Sequence, residues 1–310
     1  MVNRLIYLIT TALKSGLKTN FGTPIDLSDN MKNLSTLLIG ILVTTSCFAQ
    51  APDIDQLFQD MQAVIKTHKT LTFHLKKSER MKGKMELGEQ DVKLNMSPFK
   101  VYLKVQAPNE GAEVIYLAGQ NDGNCLVNPN AFPYMNLNLD PDGSILRKGQ
   151  HHGVKQLSFK YTGEVLDNVY TTYQTKINEY VEYKGDITWD GRDCYHISLD
   201  NKDYGFVDYK VGAGEDIISI ARKTHSNEYM LLEQNKLKNF DSVKAGQTIK
   251  VPNSYCKSIT MYVDKELKLP IYQKMFDENG HSATYEYTKV QVNSSISAAE
   301  FTKEYKDYDF

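Results

Sequence analysis

The adjacent pair His151 and His152 carries the most suggestive chemistry in this 310-residue chain, because imidazole titrates near neutrality and serves as a general acid or base. Catalysis would also need a nucleophile or a second carboxylate converging on the pair. Neighbours on a strand point to opposite faces and neighbours on a helix diverge, so the two rings are not expected to act together. Carboxylates such as Asp186, Asp190 and Glu215 are plentiful, but nothing in their spacing pairs them. His74, His196, His225 and His281 stand alone and read as surface or satisfied core residues. Asn136, Asn138, Asp140, Asp142 and Gly143 have the beginning of a calcium loop, yet the residue six past the glycine should be acidic and is Gly149, so a turn is expected. The reading is a non-enzyme without metal or cofactor.

The ends and the composition narrow the class further. Met31-Lys32-Asn33, the apolar run Leu34 to Val43 and the small residues Thr44 to Ala49 describe a secretory signal peptide over 31–49, too short to remain as a membrane span. Cleavage after Ala49 leaves Gln50 first, with lipidation of Cys47 as the alternative. Residues 1–30 precede this signal and read as a non-native or disordered extension. A formal charge of -2 and a pI of 6.4 argue against a nucleic-acid partner. Without Cys47 three cysteines remain, Cys125, Cys194 and Cys256, an odd number that cannot fully pair. If Cys194 and Cys256 begin two successive antiparallel strands, they lie at opposite ends of the hairpin, so free and mostly buried thiols are expected.

The elements that must position any site follow from periodicity. Pro52-Asp53 starts a helix whose apolar stripe is Ile54, Leu57, Phe58, Met61, Val64 and Ile65. Period-two runs then predict strands around Leu71 to Leu75, Val92 to Met96, Phe99 to Val105, Val114 to Tyr116 and Cys125. Helical spacing over Leu157 to Val181 predicts a second helix. Asp190-Gly191 turns a hairpin, and Ser258 to Val263, Pro270 to Asp277 and Ser282 to Val292 predict three more strands, with Glu278-Asn279-Gly280 as a tight turn.

Between them, Tyr209-Lys210-Val211 reads as a strand and Gly214 as a turn. Ile217, Ile220, Ala221, Tyr229, Leu231 and Leu232 read as two short helices, and Thr248 to Val251 as a strand stopped by Pro252. With Asn235 and Gly246-Gln247, these residues resemble the LysM domain, a strand-helix-helix-strand unit that binds N-acetylglucosamine polymers such as peptidoglycan and chitin. The family usually has Gly-Asp-Thr-Leu where this chain has Gly214-Glu215-Asp216-Ile217. The resemblance implies a sugar groove between the loop after the first strand and the loop before the second, which here means Gly214, Glu215, Asp216, Ile217, Leu237, Lys238 and Asn239, with Phe240 closing the second loop.

The surrounding chain resembles the LolA/LolB-like lipoprotein carriers, and more closely a domain-of-unknown-function family of exported bacterial proteins. The likeness rests on Asn138-Leu139-Asp140-Pro141-Asp142-Gly143, Asp190-Gly191-Arg192, Leu269-Pro270-Ile271, Asp277-Glu278-Asn279-Gly280 and the ending Phe301 to Phe310. It implies an α+β fold, a curved antiparallel half-barrel covered by helices, whose concave face can hold acyl chains. The expected organisation is a half-barrel domain of 50–207 and 254–310 with the LysM module, 208–253, inserted. Taken together, the resemblances imply a periplasmic or cell-envelope protein of a Gram-negative bacterium. It would bind peptidoglycan and a lipid or lipoprotein acyl chain, with no transmembrane helix in the mature chain. The alternatives are a structural envelope anchor without lipid and an accessory part of cell-wall hydrolysis.

Overall fold

The computed structural model describes residues 51–132 and 134–310; the signal peptide, the extension before it and Cys47 lie outside these residues. Helix α1, Ile54–Thr67, starts where Asp53 accepts a hydrogen bond from the Gln56 N–H, a side-chain cap for one of the free amides of the first turn. It buries Leu57, Met61 and Ile65, the stripe read from the sequence.

The chain then runs through β1 (Thr70–Met81), β2 (Lys84–Met96), β3 (Phe99–Ala107), β4 (Glu113–Leu117), β5 (Cys125–Asn128) and β6 (Leu137–Leu139) as an antiparallel meander. Helix α2, Phe159–Tyr173, follows. After it come β7 (Val181–Trp189) and β8 (Arg192–Asp200), joined by Asp190 and Gly191, both at positive φ as a two-residue hairpin turn requires. A second, two-stranded sheet is made by β9 (Phe206–Lys210) and β10 (Thr248–Pro252), which enclose α3 (Ile217–Lys223) and α4 (Glu228–Gln234). The chain returns through β11 (Ser258–Asp264), β12 (Pro270–Asp277) and β13 (Gly280–Val292).

The large sheet has eleven strands in the order β6-β5-β4-β3-β2-β1-β13-β12-β11-β8-β7, so it is open, with β6 and β7 as its edges. Its strands alternate, and one face collects Leu71, Phe73, Leu75, Val92, Leu94, Val101, Leu103, Tyr285 and Tyr287 into a single core with Phe159 of α2. This is the expected half-barrel. Helix α1 lies over β8 and β11 through Leu57, Met61, Ile197, Met261 and Val263. It touches α2 closely at Gly163, whose carbonyl accepts from Gln62 Nε2 at 2.8 Å. Here a side chain would not fit: a Cβ on Gly163 would come within 2.8 Å of Ile65 Cγ2.

One helix departs from its expected length. The segment 157–181 is not continuous: α2 ends at Tyr173, a 3-10 turn covers Gln174–Lys176, and a separate single turn holds Ile177–Tyr180. The break lets Ile177 and Tyr180 fold back onto Tyr173 and Leu199. The three cysteines are free and buried. Cys194 pairs with Asp264 in the β8/β11 ladder while Cys256 precedes the Ser258/Asp200 end, which puts them at opposite ends of that pair of strands. On the convex face, Tyr102 and Ile115 are covered by the chain end through Phe301 and Tyr308.

Candidate ligand-binding surfaces

The expected sugar-site residues sit on two loops that the two-stranded sheet and its helices bring together. Gly214, with φ of +74°, turns the chain after β9, and the Ile217 N–H then donates to the Phe240 carbonyl at 2.9 Å, tying the two loops. Ile217 itself is fully buried, so it contributes this link and a core side chain. Glu215 accepts from the Gly212 N–H at 2.7 Å, the Tyr209 hydroxyl at 2.8 Å and Lys223 Nζ at 3.0 Å. Those partners, the Gly212 amide foremost, hold its carboxyl down to about 2. Asp216 caps α3 in a reciprocal exchange with Ser219. Leu237 is half-buried against the module's core, whereas Gly214, Lys238 and Asn239 are exposed. The two acidic side chains are thus engaged in shaping the loops.

The half-barrel offers a different surface. Beneath α2 the interior is nearly filled: about 90 Å³ remains beside Leu75, Val165 and Tyr287, and about 60 Å³ between α1, α2 and β8. A larger space lies on the β2 to β6 side, where the single turn Ser144–Arg147 and the residues after it lie over the sheet. Leu103, Val105, Val114, Val127, Leu139 and Leu146 line a groove there of about 570 Å³. Leu87 and Ile145, 71% and 68% exposed, stand at its edge.

A polar cluster lies at the inner end of the concave face. Glu79 is fully buried, accepts from the Tyr285 hydroxyl at 2.6 Å and lies 3.1 Å from Lys77 Nζ. Burial opposes its ionisation, but Lys77 above all, with the Tyr285 hydroxyl, holds its carboxyl well below the ordinary range. His151 and His152 both point into this region, contrary to the expected divergence. They occupy a bend between the single turn and Val154, and there the alternation rules of strand and helix do not apply. His151 Nε2 meets the Arg80 carbonyl at 2.7 Å and His152 Nε2 the Tyr255 hydroxyl at 2.6 Å. Burial lowers both imidazole pKa values and so favours the neutral rings. The nearby Cys256 thiol is pushed up to about 12 by burial, which keeps it protonated and a poor nucleophile. Asp186 is engaged with Lys265 and Tyr183, and Asp190 with the Lys289 N–H, so neither meets a second catalytic group.

The calcium-like stretch is not a turn throughout: Leu137–Leu139 form β6, and only Asp140 to Gly143 make a turn, which has another task. Asp140 accepts from the Asp142 N–H at 2.9 Å, and Asp142 is paired with Lys155 and with Arg222 of α3. Among the described residues no group of three or more His, Cys, Asp or Glu could hold a metal. The same segment receives α4. Arg147 pairs with Glu228, and the Tyr229 hydroxyl accepts from the Gly149 N–H at 3.3 Å. Met81 of β1 enters the core formed by Ile217, Ile220, Leu231 and Val251. Sequence reasoning missed these docking residues. It also passed over Lys77, Glu79 and Gln90, although each interrupts the apolar period-two pattern of β1 or β2.

Two family models match the chain. Residues 68–206 match a protein of unknown function (DUF1571), and residues 209–252 match the LysM domain. No curated protein matches it. Among solved structures it is similar to a DUF1329 family protein from Desulfovibrio piger at 11% identity and a TM-score of 0.31, over 81% of this chain and 98% of that one. Lipoprotein LppX from Mycobacterium tuberculosis is 12% identical with a TM-score of 0.37, over 79% and 99%. A LolA superfamily protein from Nitrosomonas europaea is 8% identical with a TM-score of 0.33, over 82% and 100%. These likenesses are distant, and the fold described above rests on the chain's own strand pairing.

Proposed function

From the premise that residues 209–252 are a LysM domain and residues 68–206 belong to the DUF1571 family, we propose that the chain is a non-catalytic, exported envelope protein with two ligands. An N-acetylglucosamine polymer such as peptidoglycan lies between the loops 214–217 and 237–240 of an inserted module, 208–253. A lipid or lipoprotein acyl chain lies in the half-barrel formed by the remainder. Among the described residues no helix is long and apolar enough to cross a membrane.

The observation that carries the lipid half is the groove of about 570 Å³ with its apolar lining and exposed apolar edge. That volume falls within the roughly 300–1,000 Å³ of small-molecule sites. Two experiments test the proposal. Retention of the protein on purified peptidoglycan should be displaced by a soluble N-acetylglucosamine pentamer; retention that the pentamer leaves untouched removes the glycan ligand. Protein purified from an envelope fraction without detergent should release an acyl chain on solvent extraction, read by mass spectrometry. If it releases none and binds no added acyl probe, the second reading stands. That reading is an envelope anchor with no lipid ligand, and the small space left beneath α2 supports it.

A further inference from the structure

The groove is apolar along most of its length, but its inner end is not. Gln90 faces inward from β2 between its ladder partners Leu75 and Val105, a position where the alternation of the strand calls for an apolar residue. It is 93% buried by its 7% exposure, lines the groove, and its amide nitrogen Nε2 has no hydrogen-bond partner. A buried donor left unpaired lowers stability, so such a group in a folded protein calls for a specific reason.

Lys77 lies diagonally across the β1/β2 ladder, because Lys77 pairs with Gly88 and Leu75 with Gln90. Its stem crosses the bare Gly88 backbone so closely that a Cβ there would come within 2.8 Å of Lys77 Cε. The ammonium reaches Glu79 at 3.1 Å and the Gln150 side-chain oxygen at 3.0 Å, which leaves one of its three donors unspent. Lys77 also lines both the groove and the smaller space beneath α2. Two donors thus converge at the end of an apolar channel.

We infer that Gln90 and Lys77 form a headgroup subsite that donates hydrogen bonds to an uncharged carbonyl, so that the ligand of the groove is a single acyl chain carried as an ester or amide. The inference rests on the acyl-chain reading above and names the end of the ligand that the groove selects. Charge decides against a free carboxylate. The Lys77 charge is already met by Glu79, which is ionised and 2% exposed at its side chain, and Glu86 and Glu89 line the same groove. Lys148, the one other cation of the lining, is exposed to solvent, so a carboxylate placed at Gln90 would face these carboxylates with no buried cation left unpaired, whereas a neutral carbonyl takes both free donors.

Displacement of a fluorescent apolar probe from the full chain by methyl laurate, laurate and dodecane tests it, with Gln90→Leu and Gln90→Met beside the wild type. In the wild type methyl laurate should displace the probe about tenfold more tightly than dodecane, one good hydrogen bond being about a tenfold effect. Laurate should be weaker than its ester. In both variants the ester should lose its advantage to within about twofold of dodecane, while the ligand-free protein melts higher because the unpaired donor is gone. That opposite movement of stability and affinity separates a ligand-binding glutamine from a merely structural one. An ester preference that survives in both variants, a laurate preference, or lower melting of both variants overturns the subsite. If none of the three compounds displaces the probe from the wild type, the acyl-chain reading itself fails, and the subsite with it.

Discussion

Glu228 is 2% exposed on the first turn of α4, facing Arg147, which is wholly buried. Two effects oppose each other there. Burial favours the neutral carboxyl, while Arg147 and, further off, Arg222 favour the carboxylate. Burial wins: the carboxyl is raised from 4.5 to about 7. Its second oxygen Oε2 has no partner, and neither do Arg147 Nε and Nη1, so the attraction is carried by a single contact. The consequence for stability has a definite sign. Between pH 4.5 and 7 the folded protein holds a proton on Glu228 that the unfolded chain has released, so stability from this group is present at the acid end and lost as pH rises through that window. Each unit of separation is worth about 1.4 kcal/mol, which makes the loss about 3 kcal/mol across the window. Glu228→Gln is neutral at every pH and keeps the shape. Urea unfolding of wild type and variant, followed by the fluorescence of the one tryptophan, Trp189, should be compared at pH 4.5, 5.5 and 7. The difference in unfolding free energy should move by about 3 kcal/mol in favour of the variant as pH rises, while the contributions of all other groups cancel. A flat difference, or one that moves in favour of the wild type, would show that Arg147 outweighs burial and refute the reasoning.

Other positions give sharper local tests. Gly163→Ala should lose about 1–3 kcal/mol through the clash with Ile65, despite the roughly 1 kcal/mol that alanine normally gains in a helix; a variant more stable than wild type in urea would contradict the close approach of α1 and α2. Asn235→Ala should cost about 1–2 kcal/mol, because its amide satisfies both the N–H and the carbonyl of Lys250 on the strand edge that β9 leaves open; a change below about 0.5 kcal/mol by the same unfolding assay would show that water replaces it. The depressed Glu215 carboxyl contributes order that is present above its ordinary pKa of 4.5 and lost as pH falls toward about 2. Amide exchange at Gly212, corrected for the intrinsic pH dependence, should accelerate across that range in the wild type and show no such step in Glu215→Gln.

The first five strands of the meander, the start of α1 at Asp53, the Asp190-Gly191 hairpin and the pieces of the LysM domain were all legible, because each is written in local periodicity or turn chemistry, whereas the three-residue β6, Leu137–Leu139, is too short for its period to show and lay inside the stretch read as a turn. The break of α2 was not, since Gln174–Lys176 contains neither Gly nor Pro; what ends the helix is the packing of Ile177 and Tyr180 on Leu199, a distant strand. The histidine pair was misjudged for a similar reason: its geometry comes from a bend whose shape is set by the contacts of Arg147 and Tyr229, not by the two residues themselves. Of the candidate sugar site, the two loops could be read from position. That Glu215 and Asp216 are engaged in holding those loops could not.

Asn227 to Leu232 is a run of buried residues, including Asn227 and Glu228, and no module standing alone would bury both sides of so short a helix. One side meets Ile217, Ile220 and Val251 of the module; the other meets Arg147, Gly149 and His151 of the segment that also walls the groove. The faces are therefore divided. Gly214, Lys238 and Asn239 stay exposed although α4 is buried against the half-barrel. A glycan on those loops would leave the groove unobstructed, and the two ligands need not compete. Simultaneous binding is the direct check: saturating N-acetylglucosamine pentamer should leave the affinity for methyl laurate within about twofold, as two sites without coupling require. A tenfold change in either direction would mean that the segment 142–151, held by Asp142 and Arg147 on one side and lining the groove on the other, transmits occupancy between them.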